Sequence, residues 1–162
     1  MTEPGKAENS NVIAILNQLV VTCKDGEKGF RAASLGVADS ELATLFLNYS
    51  EQRAGFAAEL LTEVRRLGGN PETGDDDAPV AKQRGWTGIE AAVEAKLENA
   101  IIAEAERSEN QAVEEYCEAL EGNLPTAVQV VVENHYIHVR DAHDHVRALE
   151  RLHQERSATR DS

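Results

Sequence analysis

Residues 125–153 read PTAVQVVVENHYIHVRDAHDHVRALERLH, and within them Val128, Val132, Val139, Ala142, Val146 and Leu149 recur at alternating steps of four and three. One side of an α-helix repeats in this way, because ~3.6 residues complete a turn and side chains three or four apart lie one above the other. Pro125 suits the first turn, where its missing N–H leaves no helical bond unmade. The stretch predicts a long helix with one apolar stripe, and that stripe needs other helices of the same period to cover it.

Three such segments precede it. From Asn9 onward Ile13, Leu16, Val20, Cys23 and Phe30 form a stripe that ends near Gly36, a residue suited to a left-handed cap. Asp39 or Ser40 can cap a second helix with the seam Leu42, Phe46, Tyr49, Phe56, Leu60 and Leu67, stopped at Gly68-Gly69. A third carries Ile102, Ala105, Ala112, Tyr116 and Leu120 and stops at Gly122. Helices are thus predicted over about 9–35, 39–67, 96–121 and 125–153, forming one domain over 9–153 with frayed ends at 1–8 and 154–162.

The connections set the topology. Short turns at 36–39 and 122–125 make two tight hairpins, whereas GGNPETGDDDA at 68–78 is a turn-rich acidic loop. A short helix is expected in the crossover at about 79–94, with Thr87 and Glu90 spaced as a capping box. Two hairpins joined by one long crossover indicate an all-α, ferritin-like four-helix bundle.

Polar residues interrupt every seam. Stepping four from Cys23 reaches Glu27; Arg53 falls between Tyr49 and Phe56, Glu109 between Ala105 and Ala112, and His135 between Val132 and Val139, with His138 and His143 flanking it. Counted from the two hairpins, all lie near mid-height. Buried charges cost several kcal/mol each unless paired, so Glu27, Arg53, Glu109, His135 and His143 are expected to form one network, with the Arg53 fork bridging the two carboxylates.

The rival reading is a metal site built from Glu27, Glu109, His143 and His138, holding iron, manganese or zinc. Against a di-iron centre, which wants a Glu-x-x-His on each of two helices, Glu51 is followed by Ala54 and Glu133 by Tyr136, while Arg53 would place a fixed positive charge among the ligands. His138, Asp141 and His145, at i, i+3 and i+7 on one side of the last helix, offer a second set that could ligate zinc or nickel.

With 29 acidic and 16 basic residues the net charge is -13, a field that repels nucleic-acid phosphates and anionic lipids. Cys23 and Cys117 fit neither a disulfide framework nor a thiolate metal site. The first ten residues lack an apolar segment, and no apolar run approaches the ~20 residues that span a bilayer. A cytoplasmic protein follows, with no nucleic-acid or membrane partner. No nucleophile elbow, phosphate loop or dinucleotide fingerprint is present, so a non-enzymatic role is expected.

KDGEKGF at 24–30, EQRAGFAAEL at 51–60, RRLGGNP at 65–71, ERSENQAVEEY at 106–116 and AHDHVRAL at 142–149 give the chain a family likeness. It resembles the PA2169-type (DUF2383) group of uncharacterised bacterial proteins, four-helix bundles classed with ferritin-like folds. The resemblance implies the bundle and makes Glu27, Arg53, Glu109 and His143 motif positions; it implies no activity. The histidine-rich stretch HYIHVRD before Ala142 departs from that group's pattern. The resulting expectation is a structural or stress-related bundle that works by association, with a homodimer favoured.

Overall fold

A computed structural model describes residues 4–70 and 86–160, and the side chains of 9–70 and 86–156. Five helices and no strand occur among the described residues: α1 (Pro4–Gly36), α2 (Ser40–Arg66), α3 (Ile89–Glu94), α4 (Glu98–Glu121) and α5 (Thr126–Arg160). The fold is an all-α helical bundle.

The helix ends follow from local chemistry. Asp39 caps α2, its Oδ1 accepting the N–H of Glu41 at 2.9 Å and of Leu42 at 3.5 Å. α2 closes where Gly68, at φ 81°, donates to the Arg65 carbonyl and Gly69 to that of Val64. Gly36 ends α1 without the left-handed cap expected, and its role is packing. A Cβ there would stand 2.7 Å from Ile101 Cδ1 and 2.9 Å from Val93 Cγ2, so its small size lets α3 and α4 approach.

Several predicted boundaries shift. α1 begins at Pro4 instead of Asn9, since proline is preset for a first turn and Lys6, Ala7 and Glu8 are good helix formers. α5 continues beyond His153 to Arg160, with Gln154 Nε2 donating to Glu150 Oε1 one turn back. The backbone at 4–8 and 154–160 is therefore helical, not frayed. Of the crossover helix expected at 79–94, residues 79–85 lie outside the described residues; α3 occupies only Ile89–Glu94, capped by Gly88 without a side-chain bond, so Thr87 and Glu90 form no capping box. α3 and α4 part at Lys96, which takes φ 55° while Leu97 N–H bonds back to the Ala92 carbonyl.

Direction follows from contacts between distant residues. Cys23 meets Tyr116 while Gly36 meets Ile101, so α1 and α4 are antiparallel. Tyr49 meets His145 and Glu59 meets His135, so α2 and α5 are antiparallel as well. With the short turn between α1 and α2, this makes α2 and α4 parallel, so the end of α2 and the start of α4 lie at opposite ends of the bundle. The core is divided in two. One cluster includes Leu16, Val20, Leu60, Val64, Val128 and Val132; the other includes Phe30, Phe46, Trp86, Ile89, Ile101 and Val146. Burying each such side chain contributes roughly 1.5–3 kcal/mol. Between the clusters lie Gly26, Ser50, Arg53, Ser108 and Glu109.

Candidate functional site

The buried polar groups form two limbs, one between the two clusters and one running through the first cluster, to which Cys23 and Tyr116 belong. In the first, Arg53 on α2 reaches Glu109 on α4 through two parallel bonds, Nη1–Oε1 at 2.6 Å and Nη2–Oε2 at 2.5 Å, and both side chains are 1% exposed. Burial opposes the charge of Arg53, but the adjoining carboxylate outweighs it and holds the guanidinium above its ordinary pKa. The guanidinium carbon lies 5.4 Å from the centre of the Phe30 ring, which adds a cation–π contact. Arg53 Nε has no hydrogen-bond partner and borders a cavity of about 20 Å³ lined by Thr22, Asp25, Gly26, Trp86 and Glu109, room for a single water.

Glu27 does not join this pair. The seam between Cys23 and Phe30 passes through Gly26, where an added Cβ would stand 3.2 Å from Arg53 Cγ. Two steps, of three and four, span those seven residues in either order, and the helix takes the three first. Glu27 therefore turns outward to Arg31 at 3.8 Å, and only its backbone carbonyl serves the interior, accepting from Ser50 Oγ at 2.7 Å.

The second limb links all four long helices. Glu59 Oε2 on α2 lies 2.8 Å from His135 Nε2 on α5; His135 Nδ1 lies 3.2 Å from the Tyr116 hydroxyl on α4; and that hydroxyl lies 3.0 Å from Cys23 Sγ on α1. A carboxylate can only accept, so Nε2 carries the hydrogen toward Glu59 and Nδ1 accepts from Tyr116, whose oxygen accepts from the thiol. Phe56 stacks on the imidazole at 3.9 Å between ring centres, fixing its plane. His135, Tyr116 and Cys23 are at most 1% exposed, whereas the Glu59 side chain is 56% exposed.

Burial governs the protonation of this limb. It lowers the pKa of His135 against the opposing pull of Glu59, and it pushes Tyr116 well above the usual phenol range. The Cys23 thiol is pushed up to about 11, also by burial, despite the bond with Tyr116. All three groups are neutral near pH 7.

The remaining sequence candidates lie elsewhere. His143 sits 3.6 Å from Glu106 and 3.2 Å from Asp144, with no bond to Glu109. His138 is exposed and only edges Phe56. His145 accepts or donates through Nδ1 to the Tyr49 hydroxyl at 3.1 Å, and burial, followed by the charge of Glu109, pushes that phenol up to about 12. Asp141 is exposed. Glu27, Glu109, His143 and His138 are thus not gathered around one point, and among the described residues no three His, Cys, Asp or Glu side chains converge as a metal site. The carboxylate of Glu109 is already held on both oxygens by Arg53. The donor set does not fit the iron, manganese or zinc site considered from the sequence.

Glu59 and Gly29 escaped the sequence reading. Glu59 flanks the α2 seam and reaches inward only by its side-chain length, a feature that spacing does not reveal. Gly29 receives Trp86, whose ring packs edge-on against Phe30 at 4.8 Å and whose backbone N–H donates to Ser108 Oγ at 2.8 Å.

No helix among the described residues is long and apolar enough to cross a membrane. No curated protein matches the chain. The family described as Domain of unknown function (DUF2383) matches residues 11–122, which takes in Cys23, Arg53, Glu59, Glu109 and Tyr116 and leaves His135 beyond its end. With that span of its 162 residues matched, the chain belongs to the DUF2383 family.

Proposed function

We propose that the chain is a non-enzymatic, ferritin-like helical bundle of the cytoplasm that acts by self-association, in a structural or stress-related role, and that its buried polar layer fixes how the helices pair. The observation that carries this reading is the Arg53–Glu109 pair. Its charges are spent on each other, with both carboxylate oxygens held by the guanidinium, which leaves that carboxylate no capacity for a metal or for acid–base work. A buried pair joined by two parallel bonds instead penalises any helix register that would separate its partners.

The dimer reading is supported by a groove on the surface. Between α2 and α5 runs a groove of about 330 Å³ lined by Leu42, Leu45, Leu149 and Leu152, with the acidic Asp39 and Glu41 at the start of α2 and the basic His145, His153 and Arg156 on α5. Acidic residues from one helix and basic residues from the other suit a two-fold interface, where each acidic side meets the partner's basic one. Native mass spectrometry of the full chain tests this. A dimer that Leu152→Asp converts to monomer supports the reading; a monomer throughout the micromolar range overturns it.

A further inference from the structure

The Glu59–His135–Tyr116–Cys23 chain has a chemistry that the structural role does not use. We propose that Tyr116 is a redox-active tyrosine, which gives one electron to an outer-sphere one-electron oxidant, such as a metal-centred or organic radical, and passes its phenolic proton to His135.

Removing an electron from a phenol turns its O–H into a strong acid. In a buried core the electron can leave readily only if the proton leaves with it, because a charged phenol radical is poorly solvated there. Tyr116 is fully buried, and its hydroxyl already points at a neutral imidazole nitrogen 3.2 Å away. The O–H bond breaks, a new N–H bond forms at His135 Nδ1, and the electron goes to the oxidant. The resulting imidazolium keeps its Nε2–H on the Glu59 carboxylate at 2.8 Å, which stabilises the new charge and joins it to solvent through a half-exposed side chain. Phe56, stacked on the ring, holds Nδ1 in line.

Cys23 completes the sequence. Its sulfur lies 3.0 Å from the Tyr116 oxygen, which also lies 3.2 Å from His135 Nδ1. Transfer of the thiol hydrogen atom breaks S–H, re-forms O–H and leaves the unpaired electron on sulfur. In sum, one thiol hydrogen has been divided into an electron on the oxidant and a proton on His135. Tyr49 and Tyr136 lack this combination: Tyr49 bonds an exposed histidine, and Tyr136 is not in the core.

The test uses the full chain carrying Tyr49→Phe and Tyr136→Phe, which leaves Tyr116 as the sole phenol of the three. A photogenerated tris(bipyridyl)ruthenium(III) oxidant is followed by transient absorption and electron paramagnetic resonance. A neutral tyrosyl radical that forms more slowly in heavy water, and about a hundredfold more slowly with His135→Gln, supports the proposal. Glu59→Gln, at an exposed position that folding tolerates, should slow it to a lesser degree, and Cys23→Ser should lengthen the radical's life. A radical confined to Trp86, or formation rates unaffected by both His135→Gln and Glu59→Gln, would overturn the assignment. An unchanged lifetime in Cys23→Ser would overturn the thiol step.

Discussion

Gly29 on α1 lies flat against the indole of Trp86, so close that a Cβ on the glycine would stand 2.1 Å from the ring's Cδ2. Trp86 is 2% exposed, takes a left-handed backbone at φ 63°, and anchors the end of the crossover through its bond to Ser108. A bulky residue holds such a conformation only where surrounding contacts impose it. The glycine on α1 thus decides where the crossover docks.

Gly29→Ala should therefore destabilise the fold. Alanine in a helix interior regains about 1 kcal/mol of propensity, but the clash with a ring that cannot retreat costs more, giving a net loss of roughly 1–3 kcal/mol. Trp86 is the chain's one tryptophan. Its fluorescence should shift to the red in the variant under native conditions; emission identical to wild type would show that the slot is not needed.

How far the sequence discloses all this depends on the physical signal each residue leaves. Arg53, Glu109 and His135 are visible because each falls where an apolar side chain is due, the two hairpins are visible through Asp39 and Gly122, and the start of the crossover through Gly68. Glu27 illustrates the resolution of such reasoning: the interval from Cys23 to Phe30 is satisfied by a step to 26 or to 27, and only packing against Arg53 distinguishes them. Glu59 leaves no trace, since its backbone lies on a flank and its role depends on side-chain reach. The break at Lys96 is hidden for a similar reason, because a lysine at positive φ carries no glycine to announce it.

Acid should expose the burial of His135. Its folded pKa lies below the ordinary 6.5, so the native state favours the neutral ring while the unfolded chain binds the proton more readily. The stability this contributes is present above pH 6.5 and is lost as pH falls through the folded value. Urea midpoints measured from pH 8 down to pH 5 should decline in the wild type and decline less in His135→Gln. Equal slopes would mean that the imidazole titrates as in the unfolded chain.

Alkali probes the other end of the same limb. The Cys23 thiol ionises near 9 when unfolded and at about 11 when folded, so stability from this group is intact below 9 and is lost as pH rises toward 11. Cys23→Ser keeps a hydrogen-bonding group beside Tyr116 and removes the titration. Its stability should fall less steeply between pH 9 and 11 than that of wild type, as read from denaturant midpoints.

Breaking the Arg53–Glu109 pair from one side leaves a charge stranded in the core. Arg53→Met and Glu109→Leu should each cost about 3–5 kcal/mol, whereas the double variant, which strands nothing, should recover most of that loss. Chemical denaturation of the three variants checks the pattern, and additive losses would show that the pair is not dry.

The most direct test of the claim that this polar layer fixes helix pairing is the amide proton–nitrogen spectrum of Arg53→Met/Glu109→Leu beside that of wild type, with native mass measured on the same samples. A helical double variant of similar stability that shows more than one set of amide peaks, or a changed mass, is the predicted result. A single, well-dispersed set of peaks with unchanged mass would contradict it, because the bundle would then find its register from apolar packing alone.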